Sequence, residues 1–131
     1  MNIAIMCIGL LGALCIVMGV AVTVQRIKKK QGSGCPTDPK DSLHKYIRAH
    51  ANTIEFAPVL MVLMYILSQS QMAAWVLWSI ILVTVCRFFL VAGLIFPSTM
   101  SRPNPIRQIG AGGTYIFGLA LCVAVLQLAA G

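Results

Sequence analysis

Residues 48–58 read RAHANTIEFAP and lie at the edge of a long apolar run, 56–85. That run contains no charged side chain. Arg48, Asn52 and Glu55 are spaced by four and then three residues, which places them within roughly 60° on one helix face. Glu55 is the only glutamate of the chain. An ionised group beside such a run costs roughly a few kcal/mol unless a partner neutralises it. This stripe therefore predicts a ligand site on a membrane helix.

The composition indicates an integral membrane protein. The 131 residues are 59% hydrophobic and only 10% charged, with a mean hydropathy of +0.88, whereas soluble domains are about half apolar and a quarter charged. The apolar residues lie in runs of about 20 or more, the length that crosses a bilayer. We therefore predict one all-α domain over 1–131, a bundle of four transmembrane helices with no separate soluble domain.

Short polar segments divide the chain into four predicted spans. The first span lacks the basic start of a signal peptide, and it ends before a basic cluster at Arg26, Lys28, Lys29 and Lys30. We therefore expect this span to be retained in the mature protein. The second begins near Asp41 and Ser42, either of which can cap a helix. The fourth begins after Pro105, which is tolerated in a first helical turn. The predicted spans are 2–24, 44–67, 73–96 and 106–130.

The net charge of +7 is distributed as in a membrane protein. Nine of the ten Lys and Arg residues lie between apolar runs or at their edges, which predicts that both termini face the non-cytoplasmic side. This distribution argues against a nucleic-acid partner. The five cysteines form no C-x-x-C pair and share no ligand spacing with the histidines, so we predict no metal site.

Arg87 is the only charged residue inside the third predicted span. Counted from the basic ends of their helices, Arg87 and Glu55 are about 13 Å and 16 Å deep, so we expect them at similar depth. Two interpretations follow. In one, Glu55 and Arg87 form a structural ion pair; in the other, both serve a ligand together with Arg48 and Asn52. Arg48 and Glu55 are about 10 Å apart along their helix, too far to pair directly.

Plainer interpretations exist for several candidates. Arg48 fits an interfacial anchor, and His50 fits a residue that packs one helix against another. Arg26, Arg102 and Arg107 fit ordinary basic residues of cytoplasmic loops. The three tyrosines fit interface or packing positions, as listed here: Tyr46, Tyr65 and Tyr115.

The pattern Arg-x-x-x-Asn-x-x-Glu-aromatic-x-Pro on a second membrane helix resembles the MAPEG family, the membrane-associated proteins in eicosanoid and glutathione metabolism. Cys-Arg-Phe-Phe at 86–89 and Pro-Ile-Arg at 105–107 are also similar to that family. The resemblance covers nearly the whole chain. It implies a bacterial-type member in the inner membrane, a homotrimer whose adjacent subunits bind glutathione between them on the cytoplasmic side.

The resemblance also implies residue roles. Arg48 would hold a glutathione carboxylate, Asn52 its backbone, and Glu55 its γ-glutamyl ammonium group. Arg87 and an arginine at the corner between the third and fourth helices would face the thiol or a carboxylate. The implied glutathione-binding residues are Arg26, Arg48, His50, Asn52, Glu55, Phe56 and Arg87, and the candidate catalytic residues are Arg107 and Arg102.

Three positions depart from the family pattern. Phe56 stands where many members have tyrosine, and Leu90 and Leu94 stand where eicosanoid-forming members have polar or tyrosine residues. These departures speak against leukotriene or prostaglandin synthesis. The function that remains is a glutathione transferase or peroxidase, in which an arginine favours the thiolate and the thiolate attacks a lipophilic electrophile or hydroperoxide.

Two alternatives stay open. One is a non-catalytic member of the same family that binds lipid or glutathione. The other is a small proton-coupled exporter, but such exporters carry their essential glutamate in the first helix, and the first span here has no acidic residue.

Overall fold

The computed structural model describes residues 2–131, which fold into four α-helices. Each helix is long and apolar enough to cross a membrane, so the prediction of an all-helical chain with four membrane-spanning segments is confirmed. The first helix continues from the end of its predicted span at 24 through the basic residues that follow. The helices are α1 (Ile3–Lys29), α2 (Ser42–Ser68), α3 (Ala74–Ile95) and α4 (Pro105–Ala130).

Side-chain caps fix where α2 and α4 begin. The carboxylate of Asp41 accepts a hydrogen bond from the backbone N–H of His44 at 3.2 Å, and Asn104 Oδ1 accepts from the N–H of Arg107 at 2.9 Å. These oxygens satisfy donors that a first helical turn leaves unpaired. Pro105 follows Asn104 at a position where a missing N–H removes no helical hydrogen bond. The start of α4 is therefore fixed, and with it the position of Arg107 along the bundle axis.

The α1–α2 and α3–α4 loops lie at the same end of the bundle. The backbone N–H of Met100 donates to the carbonyl oxygen of Pro39 at 3.0 Å, which joins the two loops. Lys29 forms an ion pair with Asp41 beside them, and its hydrogen bond holds the pKa of the Asp41 carboxyl below the ordinary value. We call this end of the bundle the basic end, because the Lys and Arg residues other than Arg87 lie at it or near it.

α3 is the central helix of the bundle. It is the most buried of the four helices and packs against the other three, as α2 also does, whereas α1 and α4 do not contact each other within residues 2–131. One buried cluster, which includes Leu14, Ala49 and Leu90, fills the bundle toward the basic end; a larger one, which includes Ile80 and Leu121, fills the rest. The outward faces of the helices are strongly apolar and exposed, as expected of surfaces that contact lipid or a neighbouring subunit.

α3 and α4 approach each other closely at two glycines. A Cβ atom at Gly110 would lie 2.5 Å from the backbone nitrogen of Leu90, and one at Gly93 would lie 2.6 Å from that of Arg107. Two helix backbones come this near only where no side chain separates them. The contact brings the first turn of α4, with Arg107, directly against α3.

We predict that Gly110→Ala destabilises the protein by about 1–3 kcal/mol, because the new methyl group meets backbone atoms that cannot move without separating the helices. Gly112→Ala is the matched control on the same helix, since a Cβ atom there meets nothing within 4 Å. Melting temperatures of the two variants in detergent, without ligand, test the prediction. Equal melting temperatures would contradict the close contact.

Candidate functional site

A cavity of about 160 Å³ lies between α2, α3 and α4, beside the loop that joins α3 to α4. Its lining residues recur at helical spacing on each element, so one face of every helix contributes. We call it the charged cavity, because three arginines and no acidic residue line it. The lining consists of Arg48, Asn52, Phe56, Arg87, Leu90, Leu94, Met100, Arg107, Ala111, Thr114 and Tyr115.

Arg87 is the most constrained residue of the charged cavity. Its side chain is fully buried, and its Nη2 donates to both the backbone carbonyl oxygen of Asn52 at 2.9 Å and the Oδ1 of Asn52 at 2.8 Å. Its Cζ lies 5.3 Å from the centroid of the Phe56 ring, within the range of a cation–π contact. Arg87 therefore connects α3 to two successive turns of α2.

Much of the hydrogen-bonding capacity of Arg87 is unused. A guanidinium carries five N–H donors, and the Nε and Nη1 atoms of Arg87 are buried without a partner among residues 2–131. Leaving donors of a buried cation unpaired is costly, and a hydrogen-bonded anion offsets that cost most effectively. Because no acidic side chain lines the charged cavity, its chemistry suits an anionic ligand, such as a carboxylate or a thiolate.

The structural ion pair between Glu55 and Arg87 is not present. Within residues 2–131 the one ion pair joins Lys29 to Asp41, and Arg87 donates its hydrogen bonds to Asn52 instead. Glu55 is exposed on α2, and its carboxylate has no hydrogen-bond partner among residues 2–131. The carboxylate is therefore available to a cationic group of a ligand.

A second depression adjoins the charged cavity and has a different character. It measures about 270 Å³, lies between α2 and α4, and shares the side chains of Phe56, Thr114 and Tyr115 with the charged cavity. We call it the apolar groove. Its remaining lining residues, apart from one acid, are apolar or small: Glu55, Val59, Leu60, Leu63, Gly118, Leu119 and Cys122. A polar compartment and an apolar one thus meet at a common wall.

Arg107 is held in place by its surroundings. Its Nη1 donates to the carbonyl oxygen of Met100 at 3.1 Å, and its backbone N–H donates to the capping residue Asn104. Asn104 in turn donates from Nδ2 to the carbonyl oxygen of Gly93 at 2.9 Å, which ties the start of α4 to the end of α3. Arg102 is exposed in the preceding loop and does not line the charged cavity. Of the two candidate catalytic arginines, the structure brings only Arg107 to the cavity.

Two of the implied ligand-binding residues lie elsewhere in the single chain. His50 is about 200° around α2 from Arg48 and lines a separate groove with Cys15 and Gly19 of α1. Arg26 lies near the end of α1, and its Nη1 is buried without a partner in the described residues. One chain alone therefore does not bring Arg26 or His50 to the charged cavity, because both belong to the surface that α1 and α2 form.

Thr114 and Tyr115 line the charged cavity but are not among the site residues predicted from the sequence. The signal that could have identified them is helical spacing, because Ala111, Thr114 and Tyr115 follow Arg107 by four, seven and eight residues. Spacing places these residues on one face with Arg107. It does not indicate which neighbouring helix that face meets.

The model of the MAPEG family matches residues 4–127, a stretch that includes nearly all of the four helices. No curated protein and no solved structure matches the chain. The family contains glutathione transferases and peroxidases, and it also contains non-catalytic members. The chain is an integral multi-pass membrane protein that belongs to the MAPEG family, the membrane-associated proteins in eicosanoid and glutathione metabolism.

Proposed function

We propose that this protein is a membrane-embedded glutathione transferase or peroxidase, which activates the glutathione thiol for attack on a lipophilic electrophile or hydroperoxide. The observation that carries the proposal is the buried Arg87, which has donors without a partner among residues 2–131 and lines a cavity together with two further arginines and no acidic residue. Glutathione offers two carboxylates, one ammonium group and a thiol. These groups complement the arginines and the unpartnered carboxylate of Glu55.

The dimensions of the α2 stripe fit an extended tripeptide. Arg48 and Glu55 are separated by seven residues, a rise of about 10 Å, and three extended residues span about 10 Å. In this arrangement Arg48 binds a carboxylate and Glu55 binds the γ-glutamyl ammonium group. Because Oδ1 of Asn52 already accepts from Arg87, the amide Nδ2 of Asn52 remains to donate to a peptide carbonyl oxygen of the ligand.

Arg107 is the residue we assign to the thiol. An ordinary thiol has a pKa of about 8.5, so most thiol groups are protonated at neutral pH. Lowering that pKa by two units requires about 2.7 kcal/mol of preferential stabilisation of the anion. A guanidinium fixed at the wall of a largely apolar bundle, as Arg107 is by Met100 and Asn104, supplies an interaction of that size.

A neighbouring subunit completes the proposed site. The charged cavity of one chain, about 160 Å³, is smaller than the roughly 300 Å³ at which ligand pockets begin. We propose a homotrimer in which the α1–α2 surface of an adjacent subunit closes the cavity. Arg26, whose Nη1 has no partner within residues 2–131, and His50 belong to those two helices, so the neighbour would supply the two residues that a single chain keeps apart from the cavity.

We predict that native mass spectrometry of the protein in mild detergent detects trimers as the main species. The physical reason is that apolar side chains such as Ile16 and Leu126 are about seven-tenths exposed in one chain, and buried Arg26 donors remain unpaired there. Monomers or dimers alone, across several detergents, would contradict the proposed assembly.

The orientation in the membrane follows from charge. The basic end carries the Lys and Arg residues other than Arg87, and positively charged ends of membrane bundles face the cytoplasm. We propose that the protein lies in a bacterial inner membrane with both termini on the non-cytoplasmic side. Glutathione would then enter the charged cavity from the cytoplasm, while the lipophilic partner would enter from the bilayer, with membrane lipid around it.

The second candidate function is a non-catalytic protein that binds glutathione or lipid. It is favoured by Phe56, Leu90 and Leu94, which line the charged cavity without providing a hydroxyl group. The two candidates differ in whether the bound thiol is ionised. The exporter alternative is dropped, because the chain belongs to a family of another class.

We predict that Glu55→Gln weakens glutathione binding by about 10- to 100-fold, because the amide keeps the shape of the side chain but loses the charge that meets an ammonium group. The variant should melt at the wild-type temperature without ligand, since Glu55 is exposed and has no partner. Melting curves at increasing glutathione concentration measure both quantities, because a ligand that binds only the folded state stabilises it by RT ln(1 + L/Kd), where L is the free ligand concentration.

Asp38→Asn is the matched control for that experiment. Asp38 is an exposed acid in the α1–α2 loop, outside both the charged cavity and the apolar groove. It removes the same charge from the chain. Equal ligand-induced shifts in Glu55→Gln, Asp38→Asn and wild type would rule out a ligand role for Glu55.

We predict that bound glutathione in the wild-type protein shows the ultraviolet absorbance of a thiolate at a pH where free glutathione does not. Arg107→Ala should abolish this absorbance and leave much of the binding, because Arg48, Asn52 and Glu55 still hold the peptide. Arg102→Ala is the control, since Arg102 is exposed outside the cavity. A thiol that titrates in the wild-type complex as it does in free solution would exclude the transferase and favour the non-catalytic binder.

A further inference from the structure

Tyr115 lies where the charged cavity and the apolar groove meet, and it lines both. Its ring centroid is 5.7 Å from that of Phe56, with the two rings tilted by 59°. Phe56 in turn lies against the guanidinium of Arg87. The Tyr115 ring is therefore positioned by a continuous series of contacts that begins at the most buried cation of the bundle.

Two hydroxyl groups are present on the wall shared by the two compartments, and only one of them has a free proton. Thr114 is buried, and its Oγ1 donates to the carbonyl oxygen of Gly110 at 2.7 Å. The hydroxyl of Tyr115 makes no hydrogen bond to any residue within 2–131, and the side chain is 56% exposed. The Tyr115 hydroxyl is thus the available O–H donor on this wall.

The apolar groove extends away from that hydroxyl. From Tyr115 to Cys122 it follows α4 over about 10 Å, with Val59 and Leu63 of α2 opposite. Apart from Glu55, which the proposed function assigns to the ammonium group of glutathione, its walls suit the apolar part of a molecule whose polar end stops at Tyr115. The groove and the charged cavity share one wall, so a molecule in the groove lies next to a thiolate in the cavity. We therefore assign the groove to the second substrate.

We propose that Tyr115 is the acid that protonates the departing oxygen when the hydroperoxide of the proposed function, with its apolar body in the groove, is the second substrate. This inference rests on the proposed function. The glutathione thiolate attacks the terminal peroxide oxygen, so that an S–O bond forms and the O–O bond breaks. The departing alkoxide takes the Tyr115 proton and leaves as an alcohol, and the phenolate recovers a proton from water in the charged cavity.

The remaining steps balance the reaction. The glutathione sulfenic acid formed by the attack condenses with the thiol of a second glutathione, which yields glutathione disulfide and water. One peroxide is thereby reduced by two electrons, and two thiols are oxidised to one disulfide. The reaction uses no oxidant or reductant other than the hydroperoxide and glutathione.

A phenol suits the protonation step better than the arginines around it. An alkoxide is a stronger base than a phenolate, so transfer of the Tyr115 proton is favourable. A guanidinium does not give up a proton in proteins, so Arg87 and Arg107 stabilise anions without acting as acids. The division of roles is therefore a fixed cation for the attacking thiolate and a hydroxyl for the departing alkoxide.

The test compares Tyr115→Phe, which keeps the ring, with Tyr65→Phe, whose tyrosine is equally 56% exposed but lines neither compartment. Each purified variant is assayed with glutathione and either cumene hydroperoxide or chlorodinitrobenzene, whose departing chloride needs no proton. We expect Tyr115→Phe to lower kcat for the hydroperoxide about 100-fold more than it lowers kcat for chlorodinitrobenzene. Tyr65→Phe should leave both unchanged.

Several outcomes would overturn the assignment. An unchanged hydroperoxide rate in Tyr115→Phe excludes the acid role, and an equal loss with both substrates indicates that the tyrosine only shapes the site. A wild-type protein that turns over chlorodinitrobenzene but not the hydroperoxide overturns the substrate class and leaves the transferase intact. A wild-type protein that turns over neither substrate and binds glutathione without thiolate absorbance overturns the proposed function, and this inference with it.

Discussion

A fully buried guanidinium in an apolar bundle is the interaction on which the rest of the site depends. Arg87 on the central helix needs acceptors, and α2 supplies both the carbonyl oxygen and the side-chain oxygen of Asn52. Phe56, one turn further along α2, presents its ring to the same cation. These contacts use part of the guanidinium and leave Nε and Nη1 unpaired. The proposed binding of an anion rests on this buried cation, whose hydrogen bonds are incomplete within residues 2–131.

The glycine contacts between α3 and α4 determine where the other fixed arginine lies. Because Gly110 meets the backbone at Leu90, and Gly93 meets the backbone at Arg107, α4 cannot slide or rotate on α3 without a clash. Asn104 adds a hydrogen bond from the start of α4 to the carbonyl oxygen of Gly93. The distance between the two cations is thus set by backbone packing rather than by loop conformation. Such packing suits a site whose charges must stay in place during a reaction.

The sequence predicts more of the fold than of the site. Apolar runs locate four helices, and the spacing of Arg48 and Asn52 predicts the face of α2 that lines the charged cavity. Helical periodicity gives angles around one helix only, so it does not predict how α3 is rotated against α2. For that reason the sequence suggested Glu55 as a partner of Arg87, whereas the structure shows that Arg87 donates to Asn52. Likewise, the sequence offers Arg107 and Arg102 as candidates, and the cap at Asn104 together with the course of the loop shows why only Arg107 lines the cavity.

In the proposed function, the boundary between the two compartments separates a charged peptide from an apolar molecule within one small bundle. Phe56, Thr114 and Tyr115 belong to both linings. On the charged side the phenyl ring of Phe56 contacts a cation, and on the other side Tyr115 and Phe56 continue an apolar surface. Where related proteins carry a tyrosine at the position of Phe56, the hydroxyl would belong to α2; here the hydroxyl at the boundary belongs to α4. The chain therefore keeps a hydroxyl group at the boundary on α4, while α2 presents the amide oxygen of Asn52 and the ring of Phe56 to Arg87.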